Sequence, residues 1–339
     1  MRILRTLVLL CIATSVLSGC GDPTPGAQPT LAAAQQPATQ VAPTPSLESS
    51  ATQIGGGLAK PVQISGSGLG EATSTPAPGP AFDQPVIASS ELVVGPERFV
   101  FGLVSSKTGQ PVKDVPAVGV QFLKVHEDGT ATKVSDGQVV YHNENLPAGL
   151  FVVHINFDTA GKWGALFTIR PMGQEGYQIP LNFDVLERGN APKIGELAPP
   201  SKNLTEKDVK DLAEICSTRP HDDMHSMTIA DAVKSGKPTL ILFATPGFCE
   251  TATCGPDMEV AQALEKKYAG KANFIHIETP SIDAAPQGHA PVVKEWNLKT
   301  EPWIFIVGKD GKIAKRFEGG ITQQEVEPEF QEVLSASGS

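Results

Sequence analysis

Two cysteines separated by four residues carry the clearest chemical signal in this 339-residue chain. Cys249 and Cys254 enclose the sequence Glu-Thr-Ala-Thr and follow an apolar run. A local pair of this kind can exchange a disulfide with a partner, because one thiolate attacks a sulfur and the second thiol releases it. On an unbroken helix, five residues place side chains about 140° apart. We therefore expect part of this segment to lie outside a helix.

Two helix registers around the cysteines are open. Pro256 suits the first helical position, and this register places Cys254 at the helix N-terminus. A helix that begins near Glu250 would instead give Cys249 the position where backbone N–H groups and the helix dipole favour a thiolate. Cys216 lies outside the pair, and we expect it to be a buried thiol or an alternative resolving partner.

An alternation of apolar strands and amphipathic helices must position the cysteine pair. The run from Thr239 to Ala244 is continuous and apolar, as in a central buried strand. Asp310-Gly311 predicts a hairpin turn, and the run from Thr322 to Glu325 is a capping box. The other predicted elements are helices over 205–215, 228–234, 256–268 and 291–296, and strands over 274–277, 302–307 and 313–317.

This order of elements resembles the thioredoxin-like superfamily over residues 193–336. The resemblance rests on Phe243-Ala244-Thr245 ending a strand, the cysteine pair, Glu301-Pro302, and Gly308-Lys309-Asp310-Gly311 in the hairpin. It implies an α/β thioredoxin-like domain in which Pro302 is a cis-proline that faces the cysteines and contacts the substrate backbone. Cys249 is the favoured nucleophile, since it follows the strand at nearly the family spacing. The chain departs from the family by having four residues, rather than two, between its cysteines.

The function that the resemblance implies is a thiol–disulfide oxidoreductase, an enzyme that needs no cofactor. Its expected partners are protein thiols or disulfides of the cell envelope. One alternative is a binding module without catalysis, in which the cysteines form a structural disulfide. A second is a thiol peroxidase, because the run from Thr245 to Cys249, with a second cysteine five residues on, resembles Q-type peroxiredoxins. Pro246 stands where that family has a threonine.

A third alternative is copper delivery of the kind found in Sco-like proteins, which bind the metal through two cysteines and a distal histidine. The Sco-like spacing places three residues between the cysteines, so this chain departs from it. We expect no metal at the cysteine pair. The residues that would serve if a metal were bound are His221, Met224, His225, Met227 and His289.

Short β-rich runs separated by turns occupy residues 91–190, which predicts an all-β sandwich. The step Gly161-Lys162-Trp163 resembles small immunoglobulin-like domains of bacterial surface proteins. The region shows no chemistry of its own. The predicted strands are 98–104, 118–122, 139–141, 150–157, 163–169 and 179–185.

The N-terminus has the pattern of a lipoprotein signal. Arg2 and Arg5 precede an apolar run of about ten residues, which is too short to span a bilayer. Leu17-Ser18-Gly19-Cys20 resembles the lipobox of bacterial lipoproteins. This resemblance implies that residues 1–19 are a signal peptide and that Cys20 becomes lipidated. The protein is then expected on the extracytoplasmic face of the cell membrane, held by lipid.

Composition bounds the remaining possibilities. Residues 20–90 are rich in Pro, Ala, Gln, Thr, Ser and Gly, which predicts a lipid-anchored disordered linker. The chain contains 27 Lys and Arg against 37 Asp and Glu, a net charge of −10. This acidic balance argues against a surface that follows a phosphate backbone, so we expect no nucleic acid partner.

Overall fold

The structure is a computed structural model that describes residues 63–64, 82–112, 115–249, 252–279 and 285–336. The predicted signal peptide, Cys20 and most of the predicted linker lie outside these residues. Within the described ranges, no helix is long and apolar enough to cross a membrane.

The first part of the described chain, called the β-domain below, contains two sheets. One has five strands in the order β1-β5-β4-β8-β9, and the other has four in the order β2-β3-β7-β6. The strands are β1 (Gln63–Ile64), β2 (Asp83–Ile87), β3 (Gly95–Ser105), β4 (Ala117–Val125), β5 (Thr130–Gly137), β6 (Val140–His142), β7 (Leu150–Phe157), β8 (Gly161–Arg170) and β9 (Tyr177–Val185).

Aromatic side chains from both sheets form the β-domain core. Phe99 on β3 packs edge-on against Phe122 on β4 with ring centroids 5.1 Å apart. Phe157 on β7 packs in the same way against Trp163 on β8 at 4.9 Å. Successive side chains of a strand point to opposite faces, so Phe99 faces this core and its neighbour Arg98 faces away from it.

Three strands were absent from the sequence prediction: β1, which has only two residues and lies in the predicted linker, β2 and β5. β5 has the sequence Thr-Ala-Thr-Lys-Val-Ser-Asp-Gly, in which Ala131 alone is buried, so it lacks the apolar alternation that marks a strand. β2 lies before residue 91, where the sequence placed the start of the sandwich, and it pairs with β3 over its whole length.

The C-terminal domain is built on a four-stranded sheet in the order β11-β10-β12-β13. The central strand β10 is parallel to β11 and antiparallel to β12, which is antiparallel to β13. Its strands are β10 (Thr239–Phe243), β11 (Asn273–Ile277), β12 (Trp303–Val307) and β13 (Ile313–Glu318). Its helices are α1 (Ile229–Ala232), α2 (Cys254–Tyr268), α3 (Ala290–Glu295) and α4 (Gln323–Ser335).

The helix predicted over 205–215 is wrong. This region contains only a 3-10 helix, Leu212–Glu214, because polar side chains bind the backbone in competing ways. The carboxylate of Asp208 accepts hydrogen bonds from the backbone N–H and the hydroxyl of Thr205. Asp211 and Glu214 form a capping box, so the 3-10 helix begins at Leu212 and not earlier.

A buried guanidinium connects the β-domain to the C-terminal domain. Arg98 donates from Nε and Nη2 to the two carboxylate oxygens of Glu325, at 2.5 and 2.9 Å. Its other hydrogen bonds go to the carbonyls of Glu318, at 2.7 Å, and Gly320, at 2.9 Å. Both side chains of the ion pair are almost fully excluded from water.

A second cation contacts two acids of the β-domain. Arg316 on β13 donates to Glu97 at 2.8 Å and to Glu91 at 3.2 Å. Burial outweighs the attraction of Arg316 and raises the pKa of Glu97 to about 7. A single guanidinium therefore serves two carboxyl groups whose side chains are buried, and burial favours the protonated form of Glu97.

Replacing Arg98 by Met should lower the free energy of unfolding by about 3–5 kcal/mol, because Glu325 would stay buried without its cation. Urea unfolding of the full chain measures the change. The control is Lys162→Met, which breaks the exposed pair with Asp184 and should cost under about 1 kcal/mol. The double variant Arg98→Met/Glu325→Leu should recover much of the loss. If Arg98→Met and Lys162→Met lowered the free energy of unfolding equally, the larger role given to the buried pair of Arg98 and Glu325 would be contradicted.

Candidate functional site

The structure joins Cys249 and Cys254 in a disulfide, with 6.0 Å between their Cα atoms. The bond lies where the loop after β10 enters α2, at one end of the central strand. The remaining cysteine of the described residues, Cys216, is free and buried.

The start of α2 shows how a pair separated by five positions can bond. Cys254 is the first residue of the helix, and Thr253 is its N-cap. Ala252 adopts a positive φ of 59°, which is not a helical conformation. Cys249 therefore lies outside the helix, and the angular separation that an unbroken helix would impose does not apply. Of the two registers suggested by the sequence, the structure has the one with Cys254 at the N-terminus.

The two sulfur-bearing residues differ in their access to solvent. Cys254 is fully buried in the core beneath α2, whereas Cys249 is only partly buried. The backbone N–H of Cys254 donates to the sulfur of Cys249 at 3.3 Å. This N–H belongs to the first turn of a 15-residue helix, where donors and the helix dipole favour negative charge.

Glu301, which precedes cis-Pro302, lies beside the disulfide. The peptide bond between them is cis, as the resemblance implies for Pro302. A carboxylate oxygen of Glu301 and the two cysteine sulfurs all lie within 4.8 Å of one another. The hydroxyl of Thr279 donates to this carboxylate, and Thr279 is also hydrogen-bonded to Thr245 at the end of β10. The carboxylate beside the sulfurs is thus held by a chain of two buried or nearly buried hydroxyls.

An acid is buried within α2, one turn after Cys254. Asp257 accepts a hydrogen bond from the backbone N–H of Ile321 at 3.0 Å. Its other carboxylate oxygen is buried and has no partner among the described residues. Burial raises the pKa of Asp257 well above its usual value, because it disfavours the charged form.

A groove lies beside the loop that leads to Cys249. Phe248, the residue before Cys249, is more than a third exposed. The groove is also lined by Leu204, Cys216, Ser217, Arg219 and Gln287.

The histidines and methionines considered for copper are not gathered at the disulfide. Met224 is buried in the hydrophobic core beneath α2, and Met227 packs on the opposite core. His221 receives a hydrogen bond from Arg219 at 3.1 Å. His289 uses both ring nitrogens on the backbone, accepting from Glu278 N–H and donating to the Leu204 carbonyl. Burial lowers the pKa of His289 to about 4.

A second set of polar side chains lies close together in the structure, and the sequence did not predict it. Cys216, Asp222, His225 and His276, called the buried cluster below, are all buried. One donor atom from each lies within 4.8 Å of the others. Of the four, only His225 was considered as a metal candidate from the sequence. A signal was present, since His276 interrupts the apolar strand Phe-Ile-His-Ile, and a buried imidazole needs partners.

Hydrogen bonds within the buried cluster control its charges. Burial by itself raises the pKa of the Cys216 thiol, but hydrogen bonds from His225 and His276 outweigh it and lower the pKa to about 5. Burial opposes charge on His276 too, but Asp222 and Cys216 raise its pKa to about 10. The same contacts hold the pKa of Asp222 well below its usual range against the effect of burial.

Comparisons with known proteins give similarity to solved structures only. No family model and no curated protein matches the chain. The solved structures include a thioredoxin-family thiol:disulfide interchange protein from Chlorobium tepidum TLS, with 11% identity, a TM-score of 0.26, and coverage of 36% of this chain and 92% of that one. StoA from Bacillus subtilis shows 14% identity, a TM-score of 0.26, and coverage of 34% and 93%. The apo form of Trgpx shows 16%, 0.24, and coverage of 39% and 100%.

The Chlorobium tepidum protein is a thioredoxin-family protein, and all three neighbours are similar at low identity and over part of this chain. At such TM-scores they do not bear on function. The C-terminal sheet, with a disulfide at the start of α2 and a cis-proline before β12, has the arrangement that the resemblance of the sequence to the thioredoxin-like superfamily implies.

Replacing Glu301 by Gln should speed alkylation of Cys249 in the reduced protein at neutral pH, because it removes a negative charge within 4.8 Å of both sulfurs. A carboxylate at this distance disfavours a thiolate, and its removal should raise the alkylation rate of Cys249 by about threefold to tenfold. The measurement is the iodoacetamide reaction rate of Cys249, read by peptide mass analysis. Glu259→Gln removes the same charge from an exposed position on α2 and should change the rate little. An unchanged or slower rate in Glu301→Gln would contradict the prediction.

Proposed function

We propose that this protein is a thiol–disulfide oxidoreductase that acts through Cys249 and Cys254 and is held by lipid on the extracytoplasmic face of the cell membrane. The observation that carries the proposal is the asymmetry of the disulfide. Cys249 is accessible and lies outside the helix, whereas Cys254 is buried at the first position of α2. An incoming thiolate can therefore reach only one of the two sulfurs.

The exchange proceeds in two steps. A partner thiolate attacks the sulfur of Cys249, a mixed disulfide forms, and the bonding electron pair leaves with the sulfur of Cys254. That thiolate forms at the N-terminus of α2, where the helix favours negative charge. A second partner thiol then attacks the mixed disulfide and releases Cys249. The partner loses two electrons and becomes a disulfide, and both cysteines of this chain end reduced. The reverse sequence reduces a partner disulfide.

Pro302 is the proposed contact for the backbone of the bound partner. Pro302 lies directly before β12. It follows Glu301, whose carboxylate lies close to both sulfurs. A partner segment that reaches Cys249 must pass Pro302 and the exposed ring of Phe248. We propose protein thiols or disulfides of the cell envelope as partners, since the exchange itself needs no cofactor.

The alternatives have less support at this site. Thr245 is buried and uses its hydroxyl on Thr279, so it offers no hydroxyl to a peroxide at Cys249. Among the described residues, the third ligand-bearing group beside the cysteine pair is the carboxylate of Glu301 and not a histidine. This arrangement favours exchange over copper delivery.

The cysteine variants test the exchange. Cys254→Ser should trap a mixed disulfide through Cys249, because the group that resolves the intermediate is missing. Cys249→Ser should trap none, since the remaining thiol is buried. Non-reducing gels of both variants incubated with a model disulfide substrate, with and without dithiothreitol, measure the difference.

A structural disulfide predicts another outcome. Both variants would then lower stability by about 2–4 kcal/mol, with no trapped species and no exchange activity in the wild type. Fast consumption of peroxide that depends on Cys249 and needs no disulfide substrate would replace the proposal with a Q-type peroxidase.

The β-domain is proposed to be an immunoglobulin-like sandwich. Its two sheets share one aromatic core, which supports a sandwich, although its sequence carries no chemistry. In this proposal the β-domain supports the C-terminal domain through Arg98 and separates it from the anchor.

Replacing Cys20 by Ser should release the protein from the membrane or leave it unprocessed, because the acceptor of the lipid is lost. Fractionation of cells and the mass of the mature N-terminus measure the outcome. The control is Ser18→Ala, which keeps a small residue before Cys20. Processed Cys20→Ser protein that remains on the membrane would refute the lipid anchor.

A further inference from the structure

Three residues of the buried cluster lie in an irregular stretch that covers the edge strand β11, which carries the fourth, His276. Between residues 199 and 228 the only regular element is the 3-10 helix Leu212–Glu214. The backbone N–H of His276 on β11 donates to the carbonyl of Met224 at 3.0 Å, so this stretch runs beside the exposed edge of β11. A segment with so little regular structure needs another source of order.

The donor atoms in the cluster are of the types that zinc prefers. The sulfur of Cys216, the Nε2 atom of His225 and the Nδ1 atom of His276 lie 3.2, 3.3 and 2.9 Å from Oδ2 of Asp222. A tetrahedral zinc ion with bond lengths near 2.0–2.3 Å separates its ligand atoms by about 3.3–3.6 Å. The three distances to Asp222 are close to those of a four-coordinate site, and the other three separations are at most 4.8 Å.

Neighbouring groups orient three of the four side chains toward the cluster, whereas the Nδ1 atom of His225 is buried and has no hydrogen-bond partner among the described residues. The Nε2–H of His276 donates to the carbonyl of Ala244 at 3.0 Å, which leaves Nδ1 for the cluster. Oδ1 of Asp222 accepts from the N–H of Met224 at 3.0 Å, which leaves Oδ2. The hydroxyl of Thr218 lies 3.0 Å from the sulfur of Cys216. Such outer contacts are typical of metal-binding histidines and carboxylates.

The charges also balance. Within the four ligands, a thiolate, a carboxylate and two neutral imidazoles carry two negative charges, which a divalent cation cancels. The buried carboxyl group of Glu278, 3.7 Å from the Nε2 atom of His276, lies outside this balance. Without a cation, this net charge would have to be neutralised by protons in a site almost closed to water. All four protein positions are filled and buried, so no coordination position remains open for a substrate.

We propose that Cys216, Asp222, His225 and His276 bind one structural zinc ion that fixes the segment 216–225 against β11. The site is separate from the redox pair, whose sulfurs belong to a different group of ligand atoms. The ion would also order the loop before Cys249, because Ser217, next to a ligand, accepts a hydrogen bond from the N–H of Gly247 at 2.9 Å.

The full-length protein is the material for the test. After dialysis, mass spectrometry of the metal content should find one zinc ion per chain in the wild type. The double variant Cys249→Ser/Cys254→Ser should keep this zinc, and so should His154→Gln, which changes an exposed histidine. Cys216→Ser and Asp222→Asn should lose most of it.

Cobalt reports which sulfur binds. Co²⁺ added to zinc-free wild type should give visible bands of tetrahedral geometry and a thiolate charge-transfer band. Both should survive in the double variant of the redox cysteines. Cys216→Ser should lose the thiolate band.

A third measurement covers the case in which the cluster variants do not fold. Removing zinc from the wild type with a chelator should lower its melting temperature, and Zn²⁺ but not Mg²⁺ should restore it, since an ion bound to the folded state alone stabilises it. The proposal is overturned if folded wild type takes up neither Zn²⁺ nor Co²⁺. It is also overturned if uptake requires Cys249 and Cys254, or if only copper binds.

Discussion

The buried guanidinium of Arg98 determines where the chain between β13 and α4 can run. It donates to both carboxylate oxygens of Glu325 and to the carbonyls of Glu318 and Gly320. A guanidinium cannot lose its proton, and in this nearly dry position its N–H groups must find acceptors in the protein. The segment from Glu318 to Glu325 supplies them, and it therefore follows the face of β3 that carries Arg98.

The same segment also contacts the beginning of α2. Asp257 accepts the N–H of Ile321, and a Cβ atom on Gly320 would lie 3.1 Å from a methyl group of Thr253 and 2.9 Å from one of Leu146. Thr253 precedes the buried cysteine of the pair, and Leu146 belongs to the β-domain. At Gly320 there is no room for one more carbon between the β-domain and the first turn of α2. This close packing couples the β-domain to the position of Cys254.

Sequence reading succeeded where a residue pattern has one physical solution. The continuous apolar run of β10, the hairpin at Asp310-Gly311 and the cap at Thr322 all lie where they were predicted. It failed where polar side chains decide the local backbone, as in the helix predicted over 205–215. It also missed the buried cluster, because Cys216, Asp222 and His225 meet His276 only after β11 is added beside their loop. Their partners are distant in sequence, and no spacing rule connects them.

The four residues between the cysteines change how the helix serves the disulfide. With Ala252 at positive φ and Thr253 as the N-cap, α2 begins at the second cysteine, so the first lies on the loop. In the proposed exchange, helix and loop have different roles: the partly buried Cys249 receives the attack, and the sulfur of Cys254 leaves at the helix N-terminus. The loop must be held firmly if Cys249 is to stay aligned with that terminus. Ser217 holds the loop through its hydrogen bond to Gly247. A Cβ atom added to Gly247 would lie only 2.8 Å from the Cβ atom of Ser217. A glycine before Phe248 is thus a requirement of the contact between Ser217 and the loop that carries Cys249, and not a source of freedom in that loop.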